Sequence, residues 1–388
     1  MDLIPGNRLT LLQNGAEYFP ALEAAIDRAR REIFLESYIY EYDAVGRQIS
    51  EALMRAARRG VTVHVLLDGF GARTLTEAAV DTMRDAGVQV MFYRPDVSLR
   101  FKRHRLRRLH RKIAVIDTRI AFVGGINIID DIDAPGPIPP RFDYAVAVEG
   151  PLLAEIHQSV RRLWALIGWL QLRRHRSRSR KQNAPLRIAP RGRIAAAFVR
   201  RDNIRHRRDI ENAYLDAIDS ATDEIIIANA YFLPGRRIRQ ALAQAAARGV
   251  RVVLLLQGRV EYVLLHYASR ALYGMLLGAG IEIYSYHKSF LHAKVAVIDG
   301  RWATVGSSNI DPFSLMLARE ANVVAIDADF AGKLRSSLLR AIGDGSRQIM
   351  ADHWNRQPYY QRFLAWMSYG MVRALMGMAG YARRYEEA

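Results

Sequence analysis

One pattern occurs twice in this chain, as HRKIAVIDTRIAFVGGIN in residues 110–127 and as HAKVAVIDGRWATVGSSN in residues 292–309. In both copies a histidine is followed by a lysine, an aspartate, a glycine and an asparagine at identical spacings. A single match of this kind is weak evidence of a site, because short motifs also arise by chance. The recurrence of the whole spacing predicts two half-sites that meet in one centre.

The local structure of each copy follows from its apolar residues. The β-branched run after each lysine predicts a buried strand. Residues two apart on a strand project from the same face, so each histidine shares a face with its lysine. A second short run ends at the glycines, where the lack of a side chain lets the backbone approach a ligand closely.

These residue types suit a phosphate group better than a metal ion. Lysine ammonium groups and asparagine amides donate to phosphate oxygens and stabilise charge in the transition state. One histidine can attack phosphorus to form a phosphohistidine, while the other protonates the leaving alcohol and then deprotonates the incoming one. Each aspartate is expected either to orient a histidine or to hold a lysine.

The candidate site has three groups of residues. The expected catalytic residues are His110, Lys112, Asp117, His292, Lys294 and Asp299. The expected phosphate-binding residues are Gly125, Asn127, Ser307 and Asn309. Asp143 and Glu320 are expected as outer partners of the catalytic groups.

The duplication extends beyond the motif, because each half repeats helix–strand–helix–strand–helix–strand before it. The first helix is expected to begin near Pro20, a residue favoured in the first turn. This alternation predicts an α/β fold of two similar α/β/α halves, each with a largely parallel sheet. A pseudo-twofold axis would place one active site between them. The predicted divisions are a first half (residues 1–160), a tryptophan-containing helix and basic linker (161–190), a second half (191–345) and an amphipathic, membrane-associated tail (346–388).

Composition restricts the possible partners. The 388 residues carry a formal net charge of +18, which favours nucleic acid or an anionic membrane surface. The absence of cysteine excludes disulfides and thiolate metal sites. The N-terminus lacks the pattern of a signal peptide. The longest apolar stretch, residues 363–381, has Arg373 at its centre, which costs about 2.5–3.5 kcal/mol on insertion, so a peripheral protein is expected.

Two further segments have open interpretations. The basic run of residues 100–112 is either a solvated face or a guide for an anionic head group. The tail is rich in Trp, Tyr and Met, and its helices either pack on the body or lie in the membrane interface, with the second reading favoured.

The doubled pattern resembles the signature of the phospholipase D superfamily. Residues 306–309, Gly-Ser-Ser-Asn, fit that family's usual Gly-Ser-x-Asn, whereas the first copy has Gly125 where serine is common. The chain is most similar to the bacterial cardiolipin synthases without N-terminal transmembrane segments. The stretches that carry this similarity are residues 67–71, 110–117, 122–127, 226–232, 303–312 and 320–323.

The resemblance implies a phosphatidyltransferase that acts on phosphatidylglycerol. Such enzymes transfer a phosphatidyl group from one phosphatidylglycerol to another, giving cardiolipin and glycerol without a cofactor. It also implies His110 as the nucleophile and His292 as the general acid and base. It further implies a peripheral location on the cytoplasmic side of a bacterial inner membrane.

Several alternatives stay open at this point. A hydrolytic phospholipase D, a transphosphatidylase with another alcohol acceptor, and a nuclease would all share the phosphohistidine chemistry. The Trp- and Met-rich tail argues against the nuclease, so no nucleic acid is expected as a partner. A non-catalytic binder of anionic surfaces is disfavoured because both His–Lys pairs are intact. The acceptor and the oligomeric state are not determined.

Overall fold

The computed structural model describes residues 1–94, 107–130, 140–171, 186–355 and 358–378. Three segments with sequence-based interpretations therefore lie outside the described residues. They are most of the basic run before the first motif, the basic linker, and the end of the tail.

The first half contains alternating strands and helices followed by a hairpin and a long helix. Its described elements are β1 (Ile4–Gln13), α1 (Asn14–Asp27), β2 (Glu32–Ser37), α2 (Ala44–Arg58), β3 (Thr62–Asp68), α3 (Glu77–Asp85), β4 (Gln89–Tyr93), β5 (Lys112–Ile116), β6 (Ile120–Gly124), β7 (Tyr144–Glu149) and α4 (Leu153–Leu170).

The second half repeats this order with two short additional helices. Its described elements are β8 (Ile194–Arg201), α5 (Asp209–Asp219), β9 (Glu224–Asn229), α6 (Arg236–Ala247), β10 (Arg251–Gln257), α7 (Val263–Arg270), α8 (Tyr273–Gly278), β11 (Glu282–Tyr286), β12 (Lys294–Ile298), β13 (Trp302–Gly306), α9 (Pro312–Met316), β14 (Glu320–Ile326) and α10 (Ala328–Gly345). The chain continues with β15 (Ser346–Gln348), α11 (Ala351–Asn355) and α12 (Tyr359–Met378).

The strands of the described residues form one continuous sheet. The first half has the order β1-β7-β6-β5-β2-β3-β4, and the second has the same order, β8-β14-β13-β12-β9-β10-β11. Antiparallel pairing of β1 with β8 joins the halves. The predicted α/β class with two similar halves is therefore confirmed.

The expectation of largely parallel sheets is wrong for most of each half. Among the named strands of the described residues, parallel pairing occurs in β2-β3-β4 and in β9-β10-β11. The remaining neighbours, including β5-β6-β7 and β12-β13-β14, pair antiparallel.

The physical reason is a tight turn directly after each motif strand. Asp117 and Thr118 have φ values of 52° and 52°, and Asp299 and Gly300 have 49° and 60°. Two successive residues with positive φ form the turn that matches the twist of a β-hairpin. The chain must therefore return as an antiparallel neighbour.

Helices cover the outer faces of both halves, and a shared core lies between them. Helices α1 to α3 pack on the first half's sheet, and α5 to α8 pack on the second's. The shared core combines sheet residues of both halves with α4 and α10. This layering places the inner ends of the motif strands where the two halves meet.

The tail folds back onto the second half. Helix α12 packs against α7, and its Val372 and Met376 are buried in the outer core together with Trp354. Of the helices described, none has both the length and the apolar character needed to cross a bilayer.

Candidate active site

Backbone hydrogen bonds between the halves fix the two motif histidines. The N–H of His110 donates to the carbonyl oxygen of Arg319 over 2.9 Å. The N–H of His292 donates to the carbonyl oxygen of Phe142 over 2.8 Å. Each half therefore positions the histidine of the other, as a twofold relation between the halves requires. We call His110, Lys112 and Asn127 the first half-site, and their counterparts His292, Lys294 and Asn309 the second half-site.

Each histidine also pairs with a carboxylate from the opposite half. His110 Nδ1 lies 2.9 Å from Glu320 Oε1, and His292 Nδ1 lies 2.6 Å from Asp143 Oδ2. A carboxylate at Nδ1 favours the tautomer with its proton there and leaves Nε2 free for a ligand. The structure thus places both expected outer partners directly against the histidines.

The two lysines are buried beneath the histidines. Lys112 Nζ donates to the carbonyl oxygen of His110 over 2.8 Å, and Lys294 Nζ donates in the same way to His292. Burial lowers the pKa of Lys112 to about 7 and the pKa of Lys294 to about 8, although nearby carboxylates oppose this effect. An anionic ligand would restore both charges, because it compensates the lost hydration.

The histidines are neutral at pH 7 for the same reasons. Burial lowers the pKa of His110, and the charge of Lys112 adds to this effect while Glu320 opposes it. Burial lowers the pKa of His292 further, and the charges of Lys294 and Arg141 act in the same direction. The burial of Asp143 raises the pKa of its carboxyl to about 6. A neutral imidazole retains the lone pair that attack on phosphorus or proton abstraction requires.

The two asparagines use their amide oxygens in the scaffold. Asn127 Oδ1 accepts from the N–H of Ile39 over 3.0 Å, and Asn309 Oδ1 accepts from the N–H of Tyr231 over 3.4 Å. This arrangement commits the oxygens, so only the NH2 groups are left to serve a phosphate oxygen.

Gly125 and Ser307 occupy equivalent positions but do different things. The Ser307 hydroxyl donates to Glu320 Oε2 over 2.5 Å. A side chain at Gly125 would place its Cβ 2.3 Å from Asp143 Oδ1. The glycine therefore makes room for a carboxylate, whereas the serine binds one. Both residues act on the carboxylates that pair with the histidines, and a direct contact of either residue with phosphate stays a prediction.

The predicted catalytic role of Asp117 and Asp299 is corrected. The Asp117 carboxylate accepts hydrogen bonds from the backbone N–H groups of residues 30–32, and the Asp299 carboxylate accepts them from those of residues 222–224. The nitrogen–oxygen distances are 2.7–3.0 Å. Neither contacts a motif histidine or lysine in the hydrogen bonds of the described residues. Their positive φ turns each carboxylate back toward the start of the neighbouring strand, where it stabilises the hairpin.

One residue near the site was missed by the sequence reasoning. Arg141 is buried over the Phe290 ring, 5.1 Å from its centroid, and its charge lowers the pKa of His292. It stands two positions before Asp143, so it reaches the same centre. The signal in the sequence was a basic residue this close to a predicted outer partner.

Comparisons with known proteins agree with this geometry. The sequence profile of a family described as cardiolipin synthase, phospholipase D-like domain, matches residues 22–131 and 214–342. The chain is 39% identical to cardiolipin synthase B of Salmonella typhi over 387 residues, covering 97% of this chain and 90% of that protein. It is 38% identical to cardiolipin synthase B of Escherichia coli over 388 residues, with the same coverage.

The fold is also found in a solved structure. Phosphatidylserine synthase of Haemophilus influenzae superimposes with a TM-score of 0.70, covering 94% of this chain and 93% of that one. At 13% identity this similarity concerns the fold alone. The sequence relatives go further, and the chain belongs to the phospholipase D-like cardiolipin synthase family.

Proposed function

We propose that the protein is a cardiolipin synthase that transfers a phosphatidyl group between two phosphatidylglycerol molecules through a phosphohistidine. The observation that carries this proposal is the pairing of each motif histidine with a carboxylate from the opposite half, around two buried lysines. Such a centre offers two free imidazole nitrogens and two potential cations to one phosphodiester.

In the first step the Nε2 lone pair of His110 attacks phosphorus of the donor lipid. The bond from phosphorus to the glycerol oxygen breaks, and His292 supplies the proton to that oxygen. In the second step the hydroxyl of another phosphatidylglycerol gives its proton to His292. Its oxygen then bonds to phosphorus while the phosphorus–nitrogen bond breaks. One phosphodiester replaces another, so the atoms balance without a nucleotide.

This division of roles is supported by the two carboxylates. Glu320 accepts from Ser307 as well as from His110, which holds the His110 imidazole in one orientation for attack. Asp143 and His292 form the shorter pair, and burial raises the pKa of Asp143 to about 6. A coupled pair that gains or loses a proton near neutral pH suits acid and base catalysis.

Substrate binding would help His292 to take up a proton from solvent. The charge of Lys294 is the largest nearby charge that lowers the pKa of His292. A phosphodiester anion between the lysines offsets that charge and raises the pKa of His292. The general acid therefore gains its proton more readily when its substrate is present.

We propose that the protein binds the membrane surface peripherally through α12 and the start of α7. Trp366 is 73% exposed and Phe363 is 62% exposed on α12, and Val263 is 62% exposed at the start of α7. Large apolar side chains on one surface are typical of helices that lie in a lipid interface. The cytoplasmic face is proposed from the resemblance alone.

Membrane binding is best tested by point substitution, because deletion of the tail would uncover the core around Val372 and Met376. We expect Trp366→Glu to release the protein from phosphatidylglycerol vesicles in a co-sedimentation assay. Ile326→Glu is the matched control. Ile326 is also an exposed apolar residue, and it ends β14, the strand that begins at Glu320. Equal loss of binding in both variants would refute a localised surface.

The activity is tested with purified protein and phosphatidylglycerol vesicles, with lipids followed by mass spectrometry. Cardiolipin and glycerol are expected from the wild type, none from His110→Ala and far less from His292→Ala. Phosphatidic acid as the sole product would indicate a hydrolase. Cleavage of single-stranded DNA with no lipid product would refute the proposal in favour of a nuclease.

A further inference from the structure

The two halves differ at the residue that ends their second parallel strand. Asp68 ends β3, and Gln257 ends β10 at the equivalent position. One oxygen of Asp68 accepts from Phe70 and Gly71, and the other accepts from the N–H of Leu109, next to His110, over 2.8 Å. The first half therefore uses the whole carboxylate to tie its motif to the strand.

Gln257 makes only part of this arrangement. Its Oε1 accepts a hydrogen bond from the N–H of Arg259 over 3.2 Å, two residues further on. This bond corresponds to the one that Asp68 accepts from Phe70. Its Nε2 is a donor and cannot take the role of the second carboxylate oxygen. This amide nitrogen has no hydrogen-bond partner within the part of the chain that is described, although Gln257 is only 8% exposed. A buried donor without a partner costs free energy, so such atoms often mark a place where a ligand binds.

A second unpartnered polar atom lies in the same place. Gln257 and Glu261 both line a small cavity that opens to solvent. Glu261 Oε2 is buried and has no partner among the described residues. The cavity thus contains one free donor and one free acceptor, the pair that an alcohol hydroxyl satisfies.

The wall of the cavity is hydrogen-bonded to the second half-site. It includes Ala230 and Tyr231, and the N–H groups of these residues donate to the carbonyl oxygen of Ala293 and to Asn309 Oδ1. Burial raises the pKa of the Glu261 carboxyl, and the nearby charges of Arg141 and Lys294 oppose this effect. The mouth carries Tyr262, which is 56% exposed and adjoins the apolar surface proposed to contact lipid.

We infer that this cavity binds the hydroxyl-bearing end of a polyol head group, with Gln257 donating to one of its hydroxyl oxygens and Glu261 accepting from a hydroxyl. This inference rests on the proposed function and adds the acceptor's location. A glycerol head group held here presents another hydroxyl to His292, which takes its proton. The oxygen bonds to phosphorus as the bond to His110 Nε2 breaks. Gln257 and Glu261 are specificity-determining residues, because they select an acceptor with more than one hydroxyl.

A competition between two alcohols tests the inference. Full-length protein is incubated with phosphatidylglycerol vesicles, deuterated glycerol and 1-propanol at equal concentrations. Mass spectrometry then gives the ratio of deuterated phosphatidylglycerol to phosphatidylpropanol. The ratio is internal to each sample, so partial unfolding of a variant does not change it.

We expect Glu261→Gln and Gln257→Leu each to lower this ratio about tenfold, in line with the loss of a hydrogen bond in a buried site. Glu51→Gln, an exposed carboxylate on α2, is the matched control and is expected to keep the wild-type ratio. An unchanged ratio in both cavity variants, with lipid products still formed, would overturn the cavity assignment alone. No lipid product from the wild type with either alcohol would overturn the proposed function and the inference with it.

Discussion

The two half-sites carry the same histidine, lysine and asparagine, but they fix the partner carboxylate differently. In the first half-site, the partner of His110 is Glu320, and the Ser307 hydroxyl holds it. In the second, the partner of His292 is the shorter Asp143, which fills the space that Gly125 leaves. The histidine, lysine and asparagine are thus duplicated, while the groups behind the histidines have diverged.

This difference teaches how a duplicated fold can divide one reaction between equivalent residues. A carboxylate held by an extra hydroxyl favours a fixed imidazole, which suits the nucleophile. A carboxyl whose pKa is raised to about 6 by burial shares a proton with its imidazole more readily, which suits the acid and base. The flanking strand ends differ as well, because both oxygens of Asp68 accept hydrogen bonds whereas Gln257 lines a polar cavity.

The largest expected effects come from the histidines themselves. We expect His110→Ala to abolish cardiolipin formation, because no phosphohistidine can form. We expect His292→Ala to lower kcat by about 10²–10⁴-fold, the usual range for a general acid or base. Steady-state assays on phosphatidylglycerol vesicles measure both. Activity within tenfold of wild type in either variant would contradict a shared centre.

The second prediction concerns the residues that stand beside the two partner carboxylates, Gly125 beside Asp143 and Ser307 beside Glu320. We expect Gly125→Ser to lower kcat at least about tenfold, because its Cβ would displace the Asp143 carboxylate from His292. Ser307→Gly should cost less, since it removes one hydrogen bond to Glu320 and leaves the carboxylate in place.

The control for this exchange is a double variant. Gly125→Ser with Asp143→Glu recreates the arrangement of Ser307 and Glu320, and we expect it to recover part of the lost kcat. If the change in activation free energy of the double variant equals the sum of the changes in the two single variants, the two positions are not coupled.

The third prediction concerns pH and the buried lysines. An unfolded chain keeps its lysines protonated up to about pH 10, whereas the folded pKa values are about 7 for Lys112 and about 8 for Lys294. Between these values the unfolded chain binds more protons, so the free energy of unfolding rises with pH, by about 1 kcal/mol per pH unit for each lysine.

This slope is measured from melting temperatures between pH 8 and 9.5 without lipid. We expect Lys294→Met to raise the melting temperature at pH 8, to flatten the slope and to abolish activity. Lys112→Met should flatten the slope at least as much, because a folded pKa of about 7 leaves Lys112 neutral over this whole range while the unfolded chain keeps it charged. A slope unchanged by both substitutions would mean that these lysines stay charged in the folded protein.

The smallest effect on catalysis is expected at the two motif aspartates. Asp117→Ala and Asp299→Ala should each lower the free energy of unfolding by about 1–3 kcal/mol, because backbone N–H groups lose their acceptor. Turnover per folded molecule should change less than twofold. Denaturant unfolding beside kinetics separates the two, and a fall in kcat at unchanged stability would return these residues to the catalytic group.

Much of the site could be predicted because strand periodicity fixes direction. The two-residue spacing from His110 to Lys112 puts both on one face, and the duplication supplies the second half-site. Asp117 could not be placed in this way, because its positive φ reverses the direction that a strand would give. The Asp299-Gly300 pair was a readable hairpin signal, and it explains the antiparallel strands.

Other features depend on the folded chain. Helix α1 begins at Asn14, before the expected start at Pro20, and Glu17 accepts from the N–H of Gln13 at this end. Pro20 therefore lies inside the helix rather than in its first turn. The cavity at Gln257 and Glu261 was recognised from two buried polar atoms without hydrogen-bond partners among the described residues. A sequence pattern does not show which buried atoms lack partners.

The division of roles between the two half-sites is tested most directly by locating the covalent intermediate. The His292→Ala variant is mixed with short-chain phosphatidylglycerol, quenched in base to preserve phosphohistidine, digested and analysed by mass spectrometry. We expect the phosphatidyl group on His110, and no adduct in the His110→Ala variant treated in the same way. An adduct on His292 in the His110→Ala variant would contradict the assignment and reverse the roles of the two half-sites.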